Sequence, residues 1–421
     1  MAKIKHVFAR EILNAKGNPA VEATVILNND VKGVASCPSG TSVGNFEAAE
    51  LKDHDPNRFN GMGVLKAVDN VNNAIAPKIV GIDAEKQPDI DKIMIELDGT
   101  INKSRLGANA ILSVSMAAAK AAARTSVLPL FIYLRQFSQN KNLPLKIPSP
   151  AFNIINGGKH AGGNLEFQEF LVIPATFKTF SESLMMVDNI YFALKKRIEQ
   201  NNGLTLVGDE GGFSPQVATN YDAITLLKQS IEDSKFRFNY DVFMGMDLAA
   251  NNFFTQGKYK IRDKSQPLST DELLEYYKNL NNEFHFLYLE DPFSDNDFEG
   301  WTQITQELSN QTLIVGDDLI ATNPYRLQIA LDKKAVTAVI IKPNQIGTVI
   351  EALAVVEVAR QSGFKIIVSH RSGETNDDFI ADFSVAVSAD YAKFGAPARG
   401  ESVIEYNRLW EIETHLKTLK S

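Results

Sequence analysis

The sequence predicts a (β/α)8 barrel over the C-terminal two-thirds of the chain, preceded by an α+β domain. Three observations carry this expectation. Short β-branched runs recur from about residue 150 onward, and each ends in polar or charged residues. From Asp317 to Lys342, to His370 and to Lys393 the spacings are 25, 28 and 23 residues, each the length of one strand–helix unit. In the first 140 residues or so, strand-like runs are grouped before helix-like ones instead of alternating with them.

The elements follow in order. Residues 6–13, 21–27 and 31–36 are β-rich, punctuated by the turn signals Lys16-Gly17-Asn18-Pro19 and Asn28-Asn29-Asp30. Helical periodicity covers 64–79, 89–97 and 109–124, the last rich in alanine. The stretch 140–150 is polar, carries three prolines and reads as a linker, so the expected domains are 1–139 and 145–421. Nine candidate strands follow, at 152–157, 168–174, 205–212, 242–247, 286–292, 313–318, 338–345, 366–374 and 391–397. A barrel needs eight. The glycine content of 205–212 (TLVGDEGG) favours a loop there.

Composition narrows the function. Apolar types make up 44% and charged types 22% of 421 residues, an ordinary globular balance with ample core material. Lys+Arg number 43 against 51 Asp+Glu, a net charge of −8, with a pI near 5.4. That balance argues against a general nucleic-acid binder and gives no attraction to anionic membranes. A single cysteine, Cys37, allows no intrachain disulfide and fits a reducing compartment; it reads as a packed residue. Residues 1–17 hold Lys3, Lys5, His6 and Arg10 and no apolar run, so no signal peptide is expected. The apolar stretch 110–123 is interrupted by Lys120 and is too short to span a bilayer. The expectation is a soluble cytoplasmic enzyme, with room for a leaderless fraction at the cell surface.

The chemistry gathers at strand ends. Asp247, Glu290, Asp317, Lys342, His370 and Lys393 each follow an apolar run directly, which in a parallel barrel puts them at the C-terminal mouth. Asp247, Glu290 and Asp317 come from three successive strands, and three carboxylates that close stay ionised only with a cation among them. All-oxygen ligation favours Mg2+ over zinc. One charge after one strand is ordinarily a solvated loop start; six in sequence are not. Lys342, beside a divalent cation, suits a general base, although a lysine snorkelling from a strand end has the same local sequence. His370-Arg371-Ser372-Gly373-Glu374 suits a phosphate, or an ordinary helix-capping turn. Glu210 in Gly208–Gly212 is a candidate acid, and His160 in GGKHAGG a candidate on a closing loop. Two matches mislead. Gly40-Thr41-Ser42-Val43-Gly44 fits the elbow of serine hydrolases, but too little chain precedes Ser42 to build their sheet. Gly61-Met62-Gly63 lacks a third glycine and a preceding strand for a dinucleotide.

The chain resembles the enolase family nearly end to end. The resemblance is carried by GNPAVE (17–22), PSGTSVG (38–44), GVLKAVDNVN (63–72), LDGT-x-NKSRLGANAIL (97–112), NIINGGKHAGG (153–163), QEF (168–170), VGDEGGFSP (207–215), MDLAA (246–250), LEDP (289–292), VGDDL (315–319), IKPNQIGT (341–348), SHRSGET (369–375) and GAPAR (395–399). It implies an enolase-type, TIM-barrel-like α/β barrel with an antiparallel second strand, capped by the N-terminal α+β domain. It also implies dehydration of 2-phosphoglycerate to phosphoenolpyruvate. Lys342 would be the base and Glu210 the acid. Two Mg2+ would bind per site: one on Asp247, Glu290 and Asp317, the second arriving with substrate and reaching Ser42. His160, Gln168, Glu169, Glu290, Asp317, Lys342, His370, Arg371, Ser372 and Lys393 would line the substrate. A homodimer is implied, with an octamer, a tetramer of dimers, as the larger form.

Five features depart from the family pattern: Pro343 beside the base, Val43 and Thr41 in the lid, Lys16 for an arginine, and Gly400-Glu401-Ser402 after Arg399. None removes a catalytic group. Two alternatives make different demands. An acid-sugar dehydratase of the same superfamily should lack Ser42, the Arg371-Ser372 pair and the DEGG loop. A catalytically weakened homologue acting as a surface binding protein should lack Lys342, Glu210 or a metal acid. All of these residues are present.

Overall fold

The computed structural model describes residues 2–40, 44, 46–139 and 141–418. Ile4–Leu13, Pro19–Leu27 and Lys32–Ser36 form an antiparallel three-stranded meander with the second strand central. That strand alternates, and Val21, Ala23, Val25 and Leu27 are fully buried. The helix Ala108–Thr125 packs on the sheet through its alanines. The approach is so close that a Cβ on Gly33 would lie 2.0 Å from the Ala117 carbonyl oxygen. Alanine on one side and glycine on the other are what this contact requires.

The helix expected over 64–79 is three pieces: Leu65–Asp69, a π-helical turn Asn70–Ile75, and Ala76–Ile79. Pro77 has no N–H to return along the helix, and the wide turn precedes it. Gln87–Asp98 and Ala108–Thr125 extend the other two expected helices by one or two residues at each end. Leu130–Arg135, opened by Pro129, is an additional short helix.

The C-terminal part is a barrel. Ser149–Pro150 and Phe152–Asn156 flank Ala151 as one extended stretch; the first pairs with Tyr391–Lys393 and the second with Glu169–Pro174, so the row of strands returns on itself. The order continues through Val242–Asp247, Tyr288–Glu290, Leu313–Gly316, Ala338–Ile341 and Lys365–Ser369. Every neighbouring pair is parallel except the two made by Glu169–Pro174. The second strand is therefore antiparallel. The helices Phe180–Gln200 and Asn220–Asp233 separate it from the third. Residues 205–212 form no barrel strand; Val207 makes one isolated bridge to Phe213, as the glycine content leads one to expect.

The barrel interior is filled. Leu171, Ile173, Tyr288, Val315, Ile340, Ile367 and Tyr391 make a cluster of their own inside it, while a larger core lies between the sheets and their helices. The N-terminal part docks on the mouth: Ser39 pairs with Gly373, the Ala48 N–H donates to the Gln345 carbonyl at 2.7 Å, and Ala15 N–H to that of Glu374 at 2.7 Å. Among the described residues no helix is long and apolar enough to cross a membrane.

Candidate active site

Each strand delivers its charged residue to the same end. Asp247, Glu290 and Lys393 are the last residues of their strands; Asp317, Lys342 and His370 come immediately after theirs. Glu169 begins its strand, yet it faces the same mouth because that strand runs backward, and it is in register with Asp247. Glu210 and His160 enter from loops. One cavity is lined by His160, Gln168, Glu169, Glu210, Asp247, Asp317, Lys342, His370, Arg371, Ser372 and Lys393. Glu290 is wholly buried beneath it. Ser42, Thr41 and Val43 lie outside the described residues.

Lys393 sits among the acids. Its Nζ is 2.8 Å from both Glu290 carboxylate oxygens, 2.9 Å from Glu169 Oε2 and 3.5 Å from Asp247 Oδ2. Burial alone would lower its pKa, but Glu169, Glu290 and Asp247 reverse that and hold it well above the ordinary lysine value. Glu290 is pushed well up, first by burial and then by Asp247. Its Oε2 also accepts a hydrogen bond from the Tyr288 hydroxyl. Lys342 Nζ lies 2.5 Å from Asp317 Oδ2. Burial alone would lower its pKa as well, and the Asp317 charge raises it instead.

The acid groups whose oxygens lie within 4.8 Å of one another are Asp247, Glu290 and Asp291, and Asp291, Asp317 and Asp318. Asp317 is thus not grouped directly with Asp247 and Glu290; Asp291 belongs to both groups and links them. It also accepts from the N–H groups of Asp317 at 3.1 Å and Asp318 at 2.7 Å, which fixes the loop carrying Asp317. The donor set is all oxygen, buried and rich in negative charge. Asp317 Oδ1 has no hydrogen-bond partner among the described residues. These properties fit a hard divalent cation.

A second centre surrounds Glu210. Its Oε2 accepts from Asn153 Nδ2 at 3.0 Å, and His370 Nε2 is 3.7 Å away. His160 Nδ1 stands between two carboxylates, 3.5 Å from Glu169 and 3.6 Å from Glu210. Burial pushes Glu169 well up, reinforced by Glu210. Burial opposes ionisation of Glu210 too, but His160, His370 and Lys393 together hold it well below the ordinary glutamate value. Beyond these, Arg371 Nη1 bonds Glu47 at 2.8 Å and Asn344 Oδ1 at 3.1 Å. Lys16 Nζ is 2.5 Å from Asp209, the neighbour of Glu210.

Sequence reasoning does not single out Asp291, Glu47, Asn153 or Glu405. Asp291 carries a signal, its adjacency to Glu290. Glu47 meets Arg371 across 324 residues, and no local pattern announces that.

Chemically the cavity brings together an ammonium on one carboxylate, a buried cluster of acids, and a carboxyl between two imidazoles. The chain also matches known proteins. Residues 4–134 match the model of the enolase N-terminal domain, and residues 144–420 that of the enolase C-terminal TIM barrel domain. The chain is similar to the enolase of Methanocaldococcus jannaschii, with 47% identity over 416 residues, covering 98% of this chain and 96% of that one.

Proposed function

This chain belongs to the enolase family, and on that footing we propose that it interconverts 2-phosphoglycerate and phosphoenolpyruvate by base removal of the C2 proton and acid-assisted loss of the C3 hydroxyl. It is a carbon–oxygen lyase, a phosphopyruvate hydratase.

Lys342 would take the C2 proton in its neutral form, which a cation sharing the Asp317 charge would favour. Its Nζ reaches the cavity on a strand end fixed from behind, where its own N–H donates to Thr322 Oγ1 at 2.9 Å. Glu210 gives a proton to the departing C3 hydroxyl. Two buried carboxyls facing one imidazole hold a proton between them more readily than two charges; burial favours it on Glu169, while His160 and His370 favour the ionised form of Glu210, so it would pass from Glu169 to Glu210 before the hydroxyl leaves. Asp247, Glu290 and Asp317 would hold one magnesium ion, and Ser42 would reach a second. Bound magnesium supplies Lewis-acid stabilisation of the charge that develops on the substrate carboxylate. Lys393 adds a fixed positive charge beside it. Arg371 and Ser372 bind the phosphate, with Arg371 already aimed by Glu47 and Asn344, and His370 lines the substrate beside Glu210. His160, Gln168 and Glu169 line the other wall, and closure over the cavity excludes water.

The observation that carries this reading is that Lys342 and Glu210 line one cavity with the acid cluster. The test is direct. The protein mixed with 2-phosphoglycerate and Mg2+ should raise the ultraviolet absorbance of the enol product. Folded, metal-bound protein that gives no rise overturns the assignment.

A homodimer in the cytoplasm completes the proposal. Met185, Phe192 and Trp410 are exposed on the packed helices Phe180–Gln200 and Gly400–Thr418, an apolar face that a second copy would cover. Sedimentation should give twice the chain mass, or eight times for the octamer; a monomer at micromolar concentration overturns it.

A further inference from the structure

Glu405 lies on the helix Gly400–Thr418, beyond the last motif that carries the family resemblance. It is fully buried, 0% exposed. Its Oε2 is 3.2 Å from His370 Nδ1, and that histidine is its one ion-pair partner within 4.0 Å among the described residues. The opposite ring nitrogen, Nε2, faces Glu210 Oε2 at 3.7 Å. The imidazole is held between them. Phe394 packs beside the ring, and a Cβ on Gly395 would come within 3.0 Å of His370 Cε1. A buried carboxylate with no lysine or arginine costs folding free energy, so its placement against one imidazole calls for an explanation.

We propose that Glu405 is a positioning residue for the acid half of the reaction, holding His370 Nδ1–H so that Nε2–H faces Glu210. The proposal rests on Glu210 being the acid. When the C3–O bond breaks, the Glu210 proton goes to the leaving hydroxide to form water, and Glu210 is left as a carboxylate. The imidazolium stabilises that carboxylate, and Glu405 keeps the imidazole charged and aimed. Burial alone would keep His370 neutral; Glu405 and Glu210 hold its pKa well above the ordinary histidine value. No bond forms to Glu405 or His370.

The test is Glu405→Gln with Mg2+ and 2-phosphoglycerate in D2O, with C2 hydrogen exchange and enol formation followed together. Exchange reads the step at Lys342; enol formation reads the step at Glu210. Enol formation should fall by about tenfold or more while exchange and KM stay within about twofold. An equal fall in both means a structural role, and no fall in either means no role; each overturns the proposal. A wild-type chain that makes no enol product overturns the proposal together with the reaction it rests on, which separates the two failures. Nitrogen-15 spectra of His370 in the metal-free wild-type protein need no variant. A protonated Nδ1 with a strongly downfield proton supports the proposal, and a bare Nδ1 overturns it.

Discussion

Lys393 Nζ is equidistant from the two carboxylate oxygens of Glu290, 2.8 Å from each, at the centre of the acid cluster. The ammonium neutralises charge that the fold buries. A cation bound by the same acids therefore has to share them with Lys393.

Lys393→Met should accordingly destabilise the metal-free protein, by about 3–5 kcal/mol for a buried charge cluster losing its partner. Added Mg2+ should recover more melting temperature in the variant than in wild type. Equal melting temperatures without metal would argue that Lys393 does not neutralise the cluster. Activity should be lost as well, because the fixed charge opposite the developing anion is gone.

Lys342→Ala should abolish C2 hydrogen exchange. Asp317 loses a cation at 2.5 Å, so Mg2+ affinity by calorimetry should be unchanged or tighter. Retained exchange would remove Lys342 from the role of base.

Far from the cavity, Asp91 joins the N-terminal helices to the barrel helix Val349–Gln361. Its oxygens accept from Ser115 Oγ at 2.7 Å, Gln87 Nε2 at 2.9 Å and Ile350 N at 3.0 Å. Burial raises its pKa from 3.8 to about 7. The folded state thus binds this proton more tightly than the unfolded chain. Its contribution to stability is complete below pH 3.8 and is lost as pH rises to about 7. Asp91→Asn mimics the protonated form, and Gln87 Oε1, buried with no partner among the described residues, can accept from the new amide. Urea unfolding of this variant should vary less with pH between 4 and 7.5 than that of wild type. Asp91→Ala should cost about 1–3 kcal/mol, since it leaves the Ile350 N–H unpaired. Parallel pH profiles for wild type and the asparagine variant would show that Asp91 does not titrate in this range.

Gly395→Ala tests how tightly the Glu210 loop is packed. Gly395 has a φ of +79°, and a Cβ there would lie 2.7 Å from Ser402 Oγ and 2.9 Å from the Glu210 carbonyl oxygen. The expected cost is about 1–3 kcal/mol of stability, read by denaturant unfolding, with a fall in kcat because Glu210 moves. A variant as stable and as active as wild type would mean that the loop yields freely.

Much of the site is legible because strand ends repeat at a regular interval. An apolar run followed by Asp247, Glu290, Asp317, Lys342, His370 or Lys393 identifies the residue, and the barrel then brings such ends together. Strand direction leaves no mark in an apolar run. Glu169 stands at the start of its strand and reaches the mouth only because that strand is antiparallel. Periodicity alone would have put it at the far end.

The sequence by itself determined the barrel strands, most of the helices, the chemistry at the strand ends and the loop character of 205–212, since each depends on side chains close along the chain. Tertiary structure decided the rest. It chose the direction of the second strand, the seat of Lys393 among the acids, the partnership of Arg371 with Glu47, and the meeting of His370 with Glu405. These pairs lie from 35 to 324 residues apart and are set by how the strands and helices pack, which no local pattern encodes.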